Sequence, residues 1–447
     1  MLVGCGEGCR TDTRPPDRIT FVIGYYLRME SLLLSWAFKR PKWSNCLKLG
    51  RRAILFLGSL GLALPAGSES IPSAAIKTAR GHWALVSVAV QSNKKGLGNV
   101  ADPSMVQLPN GGIRLYFKNG NEPQSGIKGH DNLVHSVISR NNGKTWKIEP
   151  GARNTKWTSP IEVLPDSSGF RAFGWVVSPS GDQLTTSTSA NGLKFPAPGK
   201  NTKLRISACK TPKGRAKILG DPSIAQLPNG SWVAVVQVFK TTKSDGGGKH
   251  LGYGCVYLSS SLTSWSKAKV SYFGTSPGKG KKQEVVTNPM VYRSGSIVER
   301  WTPGMDTVLF ETSKNGKVWR GSSHFLPAAD PERLNLKNGT KLLAFGNFDG
   351  RYGGAIIVAK KVISRYKFVR QKLGDSLTIR ITGTKRTKDV KVWNLCANKP
   401  ASKIRSAKVK VTRTSGGLKV TIRDSGKPKG LVLNCYYALV GSLKILG

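Results

Sequence analysis

Acidic residues are scarce in this chain. Its 447 residues contain 24 Asp and Glu against 70 Lys and Arg, which gives a formal net charge of +46 at pH 7. A chain this basic is expected to have a polyanionic partner, such as an extracellular acidic glycan, an anionic cell-wall polymer or an anionic membrane surface. A lysine-rich solvated surface without a specific partner is the alternative. The basic residues are spread along the chain and no DNA- or RNA-reading module accompanies them, so we expect no nucleic acid partner.

Long apolar runs are also missing. An apolar segment at residues 53–66 has fourteen residues, which is too short to span a bilayer comfortably. Basic residues precede it and small residues follow it, the order typical of a secretory signal peptide. Arg51-Arg52 also allows a twin-arginine signal, although the flanking residues fit that signal poorly. We predict that residues 1–68 are a leader, with Met29 as an alternative start. The remaining chain is expected to be secreted, cell-surface or periplasmic, without a stable membrane span.

Cysteine is sparse and forms no CxxC motif. Three of the seven cysteines fall within the predicted leader, and the four that remain suggest two disulfides in an exported protein. The sequence alone allows three pairings, of which proximity along the chain favours Cys209 with Cys255 and Cys396 with Cys435. Of the five histidines only His130 and His135 are close in sequence, and the others lie far apart, so we expect neither a metal site built from cysteine and histidine nor a cofactor.

Helical periodicity is absent from the part that follows the leader, where no segment of twelve or more residues has apolar positions every 3.6 residues. Short apolar or alternating stretches bounded by Gly, Asn and Pro indicate strands instead. The chain is therefore predicted to be all-β. After a polar tether at residues 69–82, residues 83–91 are predicted to form a first strand.

A repeat is the main feature that the chain does contain. Five times, an X-Pro step is followed within seven to ten residues by a glycine, with an apolar run on each side of the turn. A strand, a tight turn and a second strand at spacings of 42 to 67 residues are typical of one blade of a β-propeller. The five steps are Asp102-Pro103, Ser159-Pro160, Asp221-Pro222, Asn288-Pro289 and Asp330-Pro331.

We therefore predict a five-bladed β-propeller over residues 83–370. The fifth repeat shows three strands, so the strand at residues 83–91 is predicted to supply its outer strand. After the repeat, apolar and polar residues alternate at period two, with 17 Lys and Arg against 3 Asp and Glu. Residues 371–447 are predicted to form a small basic β-sandwich, and the protein is expected to be a monomer.

A short motif, SRNNGKTW at residues 139–146, resembles the Asp box of sialidases and related propellers, S-x-D-x-G-x-T-W, with Asn141 in place of the aspartate. Weaker copies occur at residues 188–195 and 312–319, and a fainter one occurs at 260–265. In that superfamily the boxes cap turns on the outer rim, away from the active site. The resemblance therefore implies a sialidase-like propeller fold and a structural role for these residues. The Arg-Ile-Pro sequence that precedes the first box in sialidases is not present.

Chemistry in such a propeller is expected at the mouth of the central channel, where the inner strand of every blade begins. The X-Pro positions place Asp102, Asp221 and Asp330 there. Carboxyl groups that lie close together in a partly desolvated channel shift each other's pKa values, and such a pair can supply the acid and the base of glycoside hydrolysis. One alternative is that the Asp-Pro steps only start strands and cap turns. Another is that the ring binds a structural Ca²⁺ or Na⁺ ion.

The Asp-Pro-Ser start, followed by a strand, a Gly turn and an aromatic-bearing strand, also resembles the five-bladed glycosidases of the arabinanase and xylosidase type. That resemblance implies a catalytic base at Asp102 and a pKa-modulating carboxylate at Asp221. Where the family has an acidic Glu on the fourth blade this chain has Asn288. Glu299, beside Trp301 on the next strand, is the substitute acid that we propose from the sequence.

The predicted function is a secreted, carbohydrate-active propeller that hydrolyses an extracellular glycan. Its alternative is a non-catalytic propeller that binds polyanionic glycan or cell-wall material through its basic surface. Packing between blades is the favoured interpretation of Trp301, and stacking on a sugar ring, the role that would make it a substrate-binding residue, is the alternative. The residues expected to bind substrate are Asn288, Asp330, Arg300, Trp301 and His135.

Overall fold

The computed structural model is all-β. Two short 3-10 helices, Thr387–Asp389 and Ala401–Lys403, interrupt the strands, and no α-helix occurs in the described ranges. No helix in these ranges is long and apolar enough to cross a membrane. The structure describes residues 82–91, 97, 99–120, 131–176, 183–197, 209–211, 214–215, 218–239, 250–262, 265, 270–273, 289–303, 308–324, 329–346, 355–362, 366–373, 376–394, 399–425, 436–440 and 443–445.

Strand β1 (His82–Gln91) precedes five antiparallel sheets, one for each X-Pro repeat. The first sheet contains β2 (Asn99–Gln107), β3 (Ile113–Gly120), β4 (Val134–Ser139) and β5 (Lys147–Ile148). The second contains β6 (Ser159–Asp166), β7 (Gly169–Val176) and β8 (Gln183–Ser189), and a hairpin of β9 (Lys210–Thr211) and β10 (Gly214–Arg215) follows it. The third contains β11 (Ile218–Gln226), β12 (Trp232–Phe239), β13 (His250–Ser259) and β14 (Val270–Phe273).

The fourth sheet contains β15 (Met290–Ser294), β16 (Ile297–Pro303), β17 (Val308–Ser313) and β18 (Arg320–His324). The fifth begins with β19 (Ala329–Asn335), β20 (Lys341–Gly346) and β21 (Ala355–Val362). The remaining strands are β22 (Lys367–Leu373), β23 (Ser376–Thr382), β24 (Val390–Asn394), β25 (Lys399–Pro400), β26 (Ala407–Thr414), β27 (Gly417–Asp424), β28 (Tyr436–Val440) and β29 (Leu443–Ile445).

The first strands of the five sheets surround a common axis. In chain order β2 contacts β6, β6 contacts β11, β11 contacts β15, and β15 contacts β19, which in turn contacts β2. Antiparallel sheets arranged radially in this way define a β-propeller. Strand β1 pairs antiparallel with β21 as the next strand of the fifth sheet, so the prediction that residues 83–91 complete this sheet is confirmed.

The tight turns explain why the repeat contains Leu-x-Asn-Gly, in which x is Pro in the first and third copies and Lys in the fifth. In the first sheet, the Leu108 N–H donates to Gly112 O, the Gly111 N–H donates to Leu108 O, and Asn110 Oδ1 accepts from the Gly112 N–H. Gly111 has a φ of 83°, a left-handed conformation that glycine adopts without steric cost. The same bonds recur in the third and fifth sheets, which shows that the repeated sequence specifies one turn geometry.

Five apolar clusters hold the sheets together, one between each pair of neighbours in the ring. Strand β3 illustrates the consequence for the sequence. Leu115 and Phe117 pack toward the fifth sheet, whereas Tyr116, between them, packs toward the second. Because both faces of such a strand are buried, apolar residues follow one another directly at residues 115–117 and do not alternate with polar ones.

The turn at residues 139–146 is held by its own side chains. Ser139 Oγ accepts a hydrogen bond from the Gly143 N–H at 2.9 Å, and Asn141 Oδ1 accepts one from the Thr145 N–H at 2.9 Å. Trp146 Nε1 donates to Ser87 Oγ on β1 at 3.0 Å. The motif therefore stabilises the turn after β4 and attaches it to the N-terminal strand.

The C-terminal residues form two further layers. Strands β29, β28, β24 and β25 continue the fifth sheet beyond β1, and β22, β23, β27 and β26 form a separate sheet. One apolar cluster contains residues of both layers, including Ile379 and Val420 from one and Tyr436 and Ala438 from the other. The change of sheet falls between β21 and β22, a few residues before the end of the sequence repeat near residue 370.

A disulfide joins Cys209 to Cys255 on β13, with 6.5 Å between the two Cα atoms. Both cysteines belong to the apolar cluster between the second and third sheets. The predicted pairing of these two residues is therefore present. Cys396 and Cys435 lie outside the described residues.

Two valines of β1 test its role in completing the fifth sheet. Val90 is 4% exposed and packs in the cluster between the fifth and first sheets, whereas Val88 on the same strand is 39% exposed. We expect Val90→Asp to lower the free energy of unfolding by about 3 kcal/mol or more, because it buries an unpaired charge. The matched change Val88→Asp should cost less than about 1 kcal/mol. If urea unfolding showed the same loss of unfolding free energy in both variants, β1 would not pack as described.

Candidate functional site

A cavity lies where the first strands of the five sheets meet. The prolines of all five X-Pro steps line it, namely Pro103, Pro160, Pro222, Pro289 and Pro331. Each of these strands is the edge strand of its sheet on the axis side. One side of an edge strand has no neighbouring strand to accept its N–H groups. Proline, which has no N–H, is therefore tolerated there. The repeated X-Pro step therefore marks the propeller axis.

Two of the repeat aspartates line this cavity from adjacent sheets. Asp102 and Asp330 both have left-handed backbone conformations, with φ values of 50° and 43°. Aspartate adopts this region more readily than most residues because its short polar side chain can bond locally. The register of both strands shifts at this point, and such bulges redirect a side chain out of the regular pleat.

Hydrogen bonds link three consecutive X-Pro positions. The Asp102 nitrogen lies 3.5 Å from Asp330 Oδ2, and Asp102 Oδ2 accepts a hydrogen bond of 2.6 Å from Ser159 Oγ. The fifth, first and second sheets are thereby joined at the axis. Asp330 is 7% exposed and Asp102 is half-buried, so Asp102 is the more accessible of the two carboxyls.

A buried glutamate follows directly after the fifth repeat proline. Glu332 lines the cavity, and its Oε1 accepts a hydrogen bond from the Met105 N–H at 3.1 Å. Burial raises the pKa of Glu332 to about 8, although the Met105 N–H and the Arg333 guanidinium favour the charged form. Glu332 therefore holds a proton at neutral pH.

A second buried glutamate, Glu162 on β6, interacts electrostatically with Glu332. Burial, followed by the negative charge of Glu332, raises the pKa of Glu162 well above its usual range. The two carboxyls titrate as a pair. Sequence reasoning missed both residues. Each lies within two residues of a repeat proline near the start of an inner strand, and a carboxyl group at that position was the available signal.

Two predicted site residues are described only in part or not at all. The Asp221 backbone lies in β11 next to Pro222, and its side chain is outside the described part of the structure. Asn288 is outside the described residues, although its neighbour Pro289 lines the cavity.

Glu299, the acid proposed from the sequence, is not among the residues that line the cavity. Its Oε2 accepts hydrogen bonds from Arg333 Nε at 3.0 Å and from Trp301 Nε1 at 3.1 Å. Burial acts to raise the pKa of Glu299, but the Arg333 guanidinium and the hydrogen bonds outweigh it, and the pKa is lowered. A buried, ion-paired carboxylate of this kind is poorly suited to donate a proton.

Arg300 and Trp301, two of the predicted substrate-binding residues, are occupied by protein contacts. Arg300 forms an ion pair of 2.6 Å with Glu311, and its guanidinium lies 4.2 Å from the centre of the Trp319 ring. Trp301 is buried in the cluster between the fourth and fifth sheets, with its ring edge-on to Phe310. The structure therefore places Trp301 in the packing between sheets.

His135 lies on β4, where its Nε2 is 2.7 Å from Asp131 Oδ2. Asp131 Oδ1 also accepts hydrogen bonds from Asn119 Nδ2 and from the Leu133 N–H. This group is not among the residues lining the axial cavity, so the structure does not bring His135 together with Asp102 and Asp330.

The axis thus combines a carboxyl that is protonated at neutral pH with aspartates that accept hydrogen bonds. An acid and a base in one cavity meet the requirement for proton transfer to and from a bound substrate. Among the described residues, no group of three or more His, Cys, Asp or Glu is arranged to hold a metal ion.

The fold and this cavity define an all-β, propeller-type protein with a proline-lined, carboxyl-bearing axis. No family model and no curated protein matches the sequence. Among solved structures, an endo-1,4-beta-xylanase from Bacteroides thetaiotaomicron is 16% identical with a TM-score of 0.42, covering 67% of this chain and 97% of the xylanase. An alpha-L-arabinanase from Penicillium chrysogenum is 12% identical with a TM-score of 0.39, covering 62% of this chain and 97% of the arabinanase.

A thermostable family-43 glycoside hydrolase is 11% identical with a TM-score of 0.43, covering 67% of this chain and 97% of that protein. These structural neighbours are glycoside hydrolases. At such identities and TM-scores, the similarity carries neither an activity nor a substrate over to this chain.

The titration of Glu332 predicts a pH-dependent stability. Glu332 binds its proton more tightly in the folded than in the unfolded state, so the free energy of unfolding should fall as the pH rises from 4.5 toward about 8. Glu332→Gln keeps an acceptor for the Met105 N–H and removes the titration. We expect this variant to be more stable than the unmodified protein at pH 8, by roughly 2 kcal/mol or more, and similar to it at pH 4.5.

Urea unfolding between pH 4.5 and pH 9 measures this difference. Glu311→Gln is the matched control, because it leaves the buried Arg300 without its ion pair and should destabilise the protein at pH 8. A loss of stability at pH 8 in both variants would mean that Glu332 is ionised in the folded protein.

Proposed function

We propose that this chain is a five-bladed β-propeller followed by a C-terminal β-sandwich, and that it acts as a glycoside hydrolase on an extracellular glycan. The five sheets around one axis support the first part, and the apolar cluster shared by the two C-terminal layers supports the second. The signal-like sequence at residues 53–66 supports export. The observation that supports hydrolysis is the shared cavity of Asp102, Asp330 and the proton-bearing Glu332.

Glycoside hydrolysis needs one carboxyl that protonates the leaving oxygen and a second that activates water or attacks the anomeric carbon. We assign the first role to Glu332, because burial keeps its proton in place at neutral pH. Asp102 is the base or nucleophile, since it is the more accessible aspartate in the cavity and its Oδ2 is oriented by Ser159 Oγ. Asp330 positions Asp102 through the contact of 3.5 Å between its Oδ2 and the Asp102 nitrogen. Asp221 keeps the modulating role that the sequence resemblance implies.

The general acid in this assignment, Glu332, differs from Glu299, the acid expected from the sequence. Glu299 is engaged by Arg333, whereas Glu332 lines the cavity with Asp102. The lowered pKa of Glu299 opposes proton donation, and the raised pKa of Glu332 favours it.

Kinetics of the full chain on a panel of aryl glycosides and plant and bacterial polysaccharides test the proposal. Asp102→Asn and Glu332→Gln should each lower kcat/KM by about 100-fold or more on a substrate with a poor leaving group. On an aryl glycoside with an acidic phenol, Glu332→Gln should lower kcat/KM much less, because that leaving group needs little protonation. The rate of the unmodified enzyme should fall above pH 8, where Glu332 loses its proton.

Asp166→Asn is the matched control for Asp102→Asn. Asp166 pairs with Arg171 at 2.7 Å and is not among the cavity residues, so its loss should leave kcat/KM within about twofold. Thermal unfolding of every variant establishes that it is folded. The proposal fails if no glycoside in the panel is hydrolysed, or if Asp102→Asn and Glu332→Gln retain full activity.

A further inference from the structure

The separate C-terminal sheet, β22-β23-β27-β26, has one covered face and one exposed face. Alternate residues of its strands, such as Leu377, Ile379, Val420 and Ile422, are buried in the cluster shared with the other C-terminal layer. Their neighbours in sequence point to the opposite side, because successive side chains of a strand alternate between faces. We call that opposite side the outer face.

The outer face combines cations with hydroxyl groups. Five cations on this face have described side chains, namely Arg380, Lys408, Lys410, Lys419 and Arg423, four of them exposed and Lys419 half-buried. The other side chains that β23, β26 and β27 present there are all hydroxyl-bearing, namely Ser376, Thr378, Thr382, Thr412, Thr414 and Thr421.

No carboxylate neutralises this face among the described residues. Asp424 is the acid of β27, but it alternates onto the covered face, where its Oδ2 accepts a hydrogen bond from the Tyr436 hydroxyl at 2.6 Å. None of the five cationic side chains forms an ion pair within the described part of the chain.

The strand register places like charges directly opposite each other. Lys408 pairs with Arg423, and Lys419 pairs with Arg380. Directly opposed like charges destabilise a sheet, so this arrangement costs stability in the isolated protein. A polyanion across the face would offset the repulsion of both pairs.

We propose that the outer face binds a linear polyanionic polysaccharide, with sulfate or carboxylate groups on the cations and sugar hydroxyls on the threonines. The rows of side chains are regularly spaced, about 7 Å apart along each strand, which suits a polymer with a repeating charge. The described side chains of this face include no aromatic ring on which nucleic acid bases could stack. Among its described side chains the exposed apolar one is Val369 on β22, which is too little for insertion into lipid.

This inference specifies where the anionic glycan suggested by the composition would bind, and it does not depend on the proposed hydrolysis. The face lies on the C-terminal sheet, and none of its residues lines the axial cavity. Binding and catalysis can therefore fail separately, because Asp102→Asn should leave binding unchanged.

Binding of the full chain to dextran sulfate and polygalacturonate, measured by isothermal titration calorimetry with neutral dextran as the control, tests the proposal. The affinity for the anionic polymers should fall at least tenfold between 50 and 200 mM NaCl, since bound counterions are released on binding. The triple variant Lys408→Gln, Lys410→Gln, Arg423→Gln should bind at least tenfold more weakly at 50 mM NaCl, and its affinity should depend less steeply on salt.

A second triple variant, Lys144→Gln, Lys314→Gln, Lys317→Gln, removes the same charge from exposed turns of the propeller. It should bind within about twofold of the unmodified chain. Equal losses in the two triples would overturn the proposal, because they would show that only net charge matters. Tighter binding to phosphatidylserine vesicles or to duplex DNA than to either polysaccharide would also overturn it.

Thermal unfolding provides an independent readout that does not require a ligand. Because Lys408→Gln and Lys410→Gln relieve repulsion on the face, the first triple should unfold at the same or a higher temperature than the unmodified chain. If that triple does not fold, Lys410→Gln alone should still reduce the salt dependence of polysaccharide binding, and an unchanged dependence would count against the outer face.

Discussion

Apolar packing of each sheet against two neighbours is the constraint on which the rest of this structure depends. The five clusters between sheets bury both faces of strands such as β3 and β12, so no blade can bury its apolar surface alone. The same constraint explains the role of β1, which covers the outer edge of β21 and contributes Val90 to the cluster between the fifth and first sheets. The Asn, Asp and Ser residues of the repeat therefore lie mainly in the outer turns and at the axis.

The same packing determines the chemistry available at the axis. Glu332 and Glu162 lie on inner edge strands, where both side chains are buried, and their burial raises both pKa values. Glu299 is also buried, but Arg333 is within hydrogen-bonding distance and reverses the direction of the shift. Three glutamates in similar apolar surroundings thus differ in protonation because only Glu299 has a guanidinium as a direct hydrogen-bond partner.

Charge is divided unevenly between the inside and the outside of the molecule. The few acids include axial carboxyls and buried partners of arginine or tyrosine, such as Glu149 with Arg114 and Asp424 with Tyr436. Most of the described lysines are exposed, although Lys118 is buried, and the described part of the outer face of the C-terminal sheet aligns cations with no carboxylate between them. A strongly basic exterior around a carboxyl-bearing cavity is compatible with an acidic polymer that is held on one surface while neutral or acidic sugar units reach the axis.

The sequence by itself determined the all-β class, the five X-Pro units, the tight turns and the strand that completes the fifth sheet, and it favoured the Cys209–Cys255 pairing among three possible pairings. These features depend on local turn chemistry, strand periodicity and repeat spacing, which can be identified from the order of the residues alone. Only the tertiary structure decided the environments of Glu299, Trp301 and Glu332. The Arg333 partner of Glu299 is 34 residues away, and the Met105 N–H that meets Glu332 is 227 residues away. A pKa depends on burial and on such distant neighbours. Which side chains are suited to proton transfer is therefore determined only when the sheets pack around their axis.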